Sequence, residues 1–147
     1  MKVLVCTDGS ASSQKTLLQA SIIAEGCNVI EVAIIHVYDG KEDLSPFFIH
    51  TGKQEELVKR VKEEYQERRR DILDNAAKIF KEKNIRTRTI LKEGHPAHTI
   101  INVASEEGFN MIVIGSRGLG GLEKLLLGSV SNAVVQEAKN CNVVIVK

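Results

Sequence analysis

Cysteine is scarce in this sequence and follows no pairing pattern. Cys6, Cys27 and Cys141 are an odd three, far apart, with no CxxC among them. That argues against a disulfide framework or a zinc site and leaves reduced thiols as the expectation, with Cys6 a small core residue inside an apolar run. An excess of charge of one sign is also lacking, since 20 basic residues stand against 19 acidic ones for a net +1. Such a balance supplies no long-range field for nucleic acid or anionic membrane, and neither is expected as a partner. No apolar run approaches the ~20 residues of a membrane span. The opening MKVLVCTDGS is apolar for only a few residues before Asp8 and Gly9, unlike a secretory leader, so the expected location is the cytoplasm. Internal repeats, linkers and low-complexity segments are absent as well. What is present, 43% apolar and 27% charged residues over 147 positions, is the makeup of one globular domain spanning residues 1–147 that needs no staples.

Val3-Leu4-Val5-Cys6 is a short continuous apolar run closed by Thr7-Asp8-Gly9-Ser10, which reads as a buried strand and its turn. The spacing of Leu17, Leu18, Ala20, Ser21, Ile22 and Ala24 predicts a helix, with Ser10, Ser12 or Ser13 as its N-cap and Gly26 at its end. Asn28 to Val37 is rich in Val and Ile and predicts a second buried strand. Tyr38 to Gly52 contains Gly40 and Pro46 and predicts a long loop. From about Lys53 to Lys83, Leu57, Val61, Tyr65, Ile72, Ala76, Ile79 and Phe80 recur at helical spacing, with opposite charges three and four apart between them. Arg68-Arg69-Arg70 lies within that helix, but Glu63, Glu64, Glu67 and Asp71 around it make a solvated face and not an RNA patch. Ile85 to Leu91 alternates as a strand does, and Pro96 suits the first position of the next helix. His95 and His98 lack carboxylate or cysteine company in sequence, so capping or surface roles are expected of them before metal binding. Asn110 to Ile114, a helix from about Ser129 to Lys139, and a strand from Asn142 to Val146 complete the chain. Alternation of strands and helices throughout predicts an α/β fold: a doubly wound five-stranded parallel sheet, order 3-2-1-4-5, with helices on both faces.

The segment from Gly115 to Ser129 follows an apolar strand and leads into a helix. It holds Gly115, Gly118, Gly120, Gly121 and Gly128. Glycines let a ligand approach the backbone closely, and successive N–H groups there form an anion cradle. Gly128-Ser129 stands where the last helix begins, where unpaired N–H groups and the helix dipole favour phosphate and the Ser129 hydroxyl adds a donor. Arg117 offers a guanidinium for bidentate pairing with phosphate, or lies in solvent. The same glycines also suit plain turns, and Ser129 also suits an N-cap. The segment is neither a Walker A loop nor a GxGxxG fingerprint. Asp8 ends the first strand and Gly115 the fourth, so in the expected sheet both border the crevice where the strand order reverses.

The spacing Gly115-x2-Gly118-x9-Gly128-Ser129 resembles the nucleotide signature of the ATP-binding branch of the universal stress protein family. Chance would place three glycines and a hydroxyl residue so in roughly one chain in a hundred or fewer. The resemblance spans nearly the whole chain. Val3 to Ser10 is similar to the family's first strand and Asp-Gly-Ser turn, Ile35-His36-Val37 to the end of its second strand, Gly94-His95-Pro96-Ala97 to its third helix start, and Asn142 to Val146 to its last strand. Cys6 stands where many members have alanine or proline, a departure of little consequence. The resemblance implies that Asp8 and Val37 contact the adenine end, Val37 through backbone atoms. It implies that Gly115 lies against the ribose with Ile114 beside it, and that Gly118, Gly128, Ser129 and the Val130 backbone hold phosphates. The implied ligand is ATP or AMP, with Mg2+ as the hard cation that would bridge the phosphates.

Asp8 is the one carboxylate that the sequence brings near such a site, at an unfavourable distance from a γ-phosphate. The expectation is therefore a nucleotide-dependent stress-response sensor or switch with slow or no hydrolysis and no catalytic residue. The alternative is a homodimeric partner-binding module in which nucleotide is secondary or absent. Val143 to Val146 should be an open apolar edge strand that invites a second copy, and the resemblance implies homodimers joined there. An adenylate-forming enzyme is the weakest reading, because His95-Pro96-Ala97-His98 lacks the glycine of an HxGH motif and lies on the wrong loop.

Overall fold

The computed structural model of the chain describes residues 1–40, 54–117 and 127–147. Its elements are β1 (Lys2–Cys6), α1 (Ala11–Gly26), β2 (Glu31–Tyr38), α2 (Gln54–Lys81), β3 (Thr87–Glu93), α3 (Pro96–Glu106), β4 (Met111–Gly115), α4 (Ser129–Glu137) and β5 (Asn142–Val146). The strands form one sheet in the order β3-β2-β1-β4-β5, and every neighbouring pair is parallel. This is the topology expected from the alternation of elements.

The sheet is covered on both faces, which explains why its inner strands carry continuous apolar runs, Val3 to Cys6, Val32 to Ile35 and Met111 to Ile114, and not alternating ones. Successive side chains of a strand point to opposite faces. Leu4, Cys6, Ala33, Ile35, Ile112 and Ile114 therefore pack with Ala97, Ile100, Val103 and Ala104 of α3 and Val134 of α4. Val3, Val5, Val32, Ile34 and Val113 pack on the other side with Leu17, Ala20 and Ala24 of α1 and Leu73, Ala76 and Phe80 of α2. Cys6 is 7% exposed, and burial pushes its thiol far above the usual cysteine range, so it is the inert core residue anticipated.

Several boundaries differ from expectation. Among the three serines offered as caps, Ser10 is the N-cap of α1, its Oγ accepting from Ser13 N at 3.2 Å. Gly26 is the last helical residue but not a left-handed cap; the chain leaves through extended Cys27, whose N–H returns to Ile23 O at 2.9 Å. β2 begins at Glu31 and not at Asn28, because Val29 N turns back to Cys27 O and Ile30 is 73% exposed. β3 begins at Thr87 and not at Ile85. Asn84 adopts φ 57°, and Ile85 N closes onto Phe80 O at 2.9 Å, a helix-ending pattern that holds Ile85. α4 ends at Glu137, two residues short of Lys139. Tyr38 belongs to β2, and most of the loop expected to follow it lies outside the described residues.

At the amino-terminal end of the sheet, charged side chains from three strands and from the cap that follows α3 converge. Arg88 Nε donates to Glu31 Oε1 at 2.5 Å, the Arg88 guanidinium also pairs with Glu107, and Lys2 Nζ lies 3.9 Å from Glu31. The hydrogen bond from Arg88 holds the Glu31 carboxyl below the usual carboxylate range. That stabilisation is complete above the ordinary glutamate pKa and is lost as pH falls through the lowered folded value. Because the pair is partly solvated, Glu31→Gln should cost only about 0.5–1 kcal/mol at neutral pH. The variant should also lose less stability than the parent on acidification below about pH 4.5; urea titrations across pH check both outcomes.

A tighter constraint joins α1 to β4. A Cβ on Gly115 would stand 3.0 Å from Thr16 Oγ1 and 3.2 Å from Arg117 O, tighter than most such contacts, so the missing side chain at residue 115 eases the close approach of α1 to the strand end. Thr16 is fully buried, and its hydroxyl has no hydrogen-bond partner among the described residues. An unsatisfied buried hydroxyl is destabilising. Thr16→Val should accordingly raise unfolding stability by roughly 1 kcal/mol, read as an upward shift of the denaturant midpoint at unchanged slope.

Candidate functional site

The strand order reverses between β1 and β4, so the chain leaves their carboxyl ends in opposite directions and opens a crevice between them. β1 and β4 pair through Val5 and Val113, and continuing that register sets Asp8 level with Ser116. The rim around this point is unusually polar for buried surface: Thr7, Ser13, His36, Ser116 and Ser131 are each less than 9% exposed.

The turn after β1 is fixed by its own hydroxyls and one carboxylate. Asp8 Oδ1 accepts from Ser10 N at 3.0 Å and from Ser10 Oγ at 2.5 Å. Thr7 Oγ1 donates to Ser13 Oγ at 3.0 Å and accepts from Gly9 N at 3.2 Å. Gly9 has φ 78°, the left-handed region that glycine adopts without strain. His36 Nδ1 lies 2.9 Å from Thr7 O and ties the end of β2 to the same turn. Asp8 is half-buried, with one oxygen engaged in the turn.

On the β4 side, Ser116 N donates to Val146 O at 2.6 Å, and Gly128 N donates to Ser116 O at 2.7 Å. Ser131 Oγ lies 3.1 Å from Ser116 O and 3.0 Å from Gly128 O. These contacts clamp the start of α4 onto the end of β4. Gly128 is the N-cap in extended conformation and Ser129 the first helical residue, so the capping reading of Ser129 falls away. The amide of Gly128 itself serves this clamp. Among the described residues, the N–H groups of Ser129 and Val130 have no protein acceptor.

The structure thus brings Asp8, Gly115, Gly128, Ser129 and Val130 to the carboxyl rim. Val37 is half-buried in the penultimate position of β2, on the face toward α3 and α4. Ile114 is 6% exposed and packs in the core layer with Val134. Arg117 is exposed, and Gly118 lies outside the described residues. His98 is exposed and lies 3.9 Å from Glu137, His95 makes no capping bond, and no metal-binding cluster occurs among the described residues. A surface depression of about 580 Å³ runs along α2, lined by Val58, Lys62, Gln66 and Arg70 among others, but charges of both signs line it without convergent donors. Thr16, Ser116 and Ser131 were not singled out from sequence. Their only signal is a small hydroxyl residue beside an apolar run, a weak one.

Residues 1–147 match the family model of the universal stress proteins. The chain is 38% identical to universal stress protein YxiE of Bacillus subtilis, over 99% of this chain and 98% of that one. Its backbone matches the solved structure of MJ0577 with a TM-score of 0.82 at 28% identity, covering 99% of this chain and 94% of that one. MJ0577 is a universal stress protein of Methanocaldococcus jannaschii. A universal stress protein solved in complex with cAMP matches with a TM-score of 0.64 at 25% identity, over 100% and 96% of the two chains. By full-length family match, by sequence and by the order of its five strands, the chain belongs to the universal stress protein family.

Proposed function

We propose that the chain binds an adenine nucleotide, ATP or AMP, with phosphate at the start of α4 and the base toward Asp8 and Val37. One observation carries this reading. The Ser129 and Val130 amides at the start of α4 meet no acceptor among the described residues, and the exposed Ser129 side chain stands beside them. Free amides at a helix start carry partial positive charge and suit a phosphate. The family relative in complex with cAMP supports an adenine nucleotide in particular. Mg2+ would bridge phosphate oxygens while keeping most of its waters.

Asp8 is the carboxylate this rim offers, and one of its oxygens holds the β1–α1 turn. Attack on a γ-phosphate needs an oriented water and charge neutralisation. The protein is therefore read as a stress-response sensor or switch in the cytoplasm whose state follows bound nucleotide, with turnover below about one per second. Ser129 is the first helical residue and not the N-cap, so Ser129→Ala should leave the melting temperature unchanged and weaken ATP binding about tenfold, the loss of one hydrogen bond to a charged group. Calorimetric titration alongside thermal denaturation checks this; undiminished affinity in the variant overturns the assignment.

A second reading is favoured by β5, which is an edge strand with Val143, Val144, Ile145 and Val146 all partly exposed. Such an edge invites a second copy of the chain. Protein that sediments as a dimer and releases ATP or AMP on denaturation supports the sensor. A dimer that releases none and takes up none at millimolar ATP supports a partner-binding module in its place.

A further inference from the structure

One stripe of α2 touches both backbone segments that border the base end of the site. Gln66, Arg69 and Ile72 are spaced three apart and share a helix face. Gln66 Nε2 donates to the Tyr38 hydroxyl at 2.6 Å. The Arg69 guanidinium carbon stands 3.6 Å from the centre of the Tyr38 ring, and the residue is only 7% exposed. Ile72 Cδ1 lies 2.7 Å from where a Cβ on Gly9 would stand. Tyr38 directly follows Val37, and Gly9 directly follows Asp8. A solvated lysine would be easier to keep on a helix surface than a buried guanidinium. A planar cation stacked on a ring fixes orientation in a way that a flexible ammonium does not.

We propose that Arg69 is a positioning residue for nucleobase recognition: with Gln66 and Ile72 it ties the end of β2 to the β1–α1 turn and so sets the spacing of Val37 and Asp8. The inference rests on the nucleotide reading above and goes beyond it, since it assigns base selectivity to a helix that carries no part of the phosphate cradle. Arg69 acts through Tyr38 and not by touching the ligand. Loosening the stack should therefore affect discrimination between bases more than the holding of phosphate.

The test compares ATP and GTP affinities by calorimetry in the parent chain and in Arg69→Lys, which keeps the charge and loses the planar stack. The parent should prefer ATP, and the variant should lose about tenfold in ATP affinity with GTP affinity within about twofold of the parent. Equal loss for both nucleotides, or an unchanged ATP preference, overturns the proposal. Should Arg69→Lys not fold, Gln66→Leu reads the same tie more gently, with a loss of about threefold confined to ATP expected and an unchanged ratio overturning it. A parent chain that binds both nucleotides equally overturns this inference and leaves the phosphate site standing. A parent that binds neither overturns the nucleotide reading and this inference with it.

Discussion

Val3, Leu4, Val5 and Cys6 face alternately into two separate apolar layers, and this two-sided burial of the central strand governs what is built on it. A strand buried on both faces has only its ends available to solvent. All five strands run parallel, so their carboxyl ends share one rim, and β1 lies beside the point where the winding reverses. Buried polar side chains such as Thr7, His36, Ser116 and Ser131 accordingly gather at that rim. The amino-terminal end is closed by the ion pairs of Glu31, Arg88, Glu107 and Lys2, which hold the opposite side of the sheet together.

The rim is organised by hydroxyl groups more than by charge. Thr7, Ser10 and Ser13 bond among themselves around Asp8, while Ser131 and Gly128 converge on the Ser116 carbonyl. Neutral donors of this kind fix backbone geometry without the desolvation cost of buried ions. They leave the amides of Ser129 and Val130 without an acceptor among the described residues.

Much of this was legible in the sequence. Continuous apolar runs such as Ile34-Ile35 and Ile112-Val113-Ile114 announced strands covered on both faces, and the alternation with helices announced the strand order. Boundaries were less legible because apolarity does not reveal capping: Ile85 belongs with Phe80 through a left-handed Asn84, and Ile30 is exposed. The glycine spacing located the start of α4 but could not tell which amides were free. Gly128 is engaged by Ser116, a contact made only when β4 and α4 meet in space. Thr16 and Ser131 escaped notice for the same reason, since the partners that define them are distant in sequence. His36 was legible as a polar residue inside an apolar strand, although its tie to Thr7 O was not.

The environment of Cys6 has a chemical consequence of its own. Its sulfur stays protonated and enclosed between the sheet and the α3/α4 layer, whereas Cys27 is exposed. Thiolate is the form that oxidants and alkylating agents attack. In the folded molecule the exposed thiol is Cys27, at the end of α1, while Cys6 is shielded. Cys6 becomes available only when the layers part, and its reactivity is thus an internal witness to whether the central strand is still sealed.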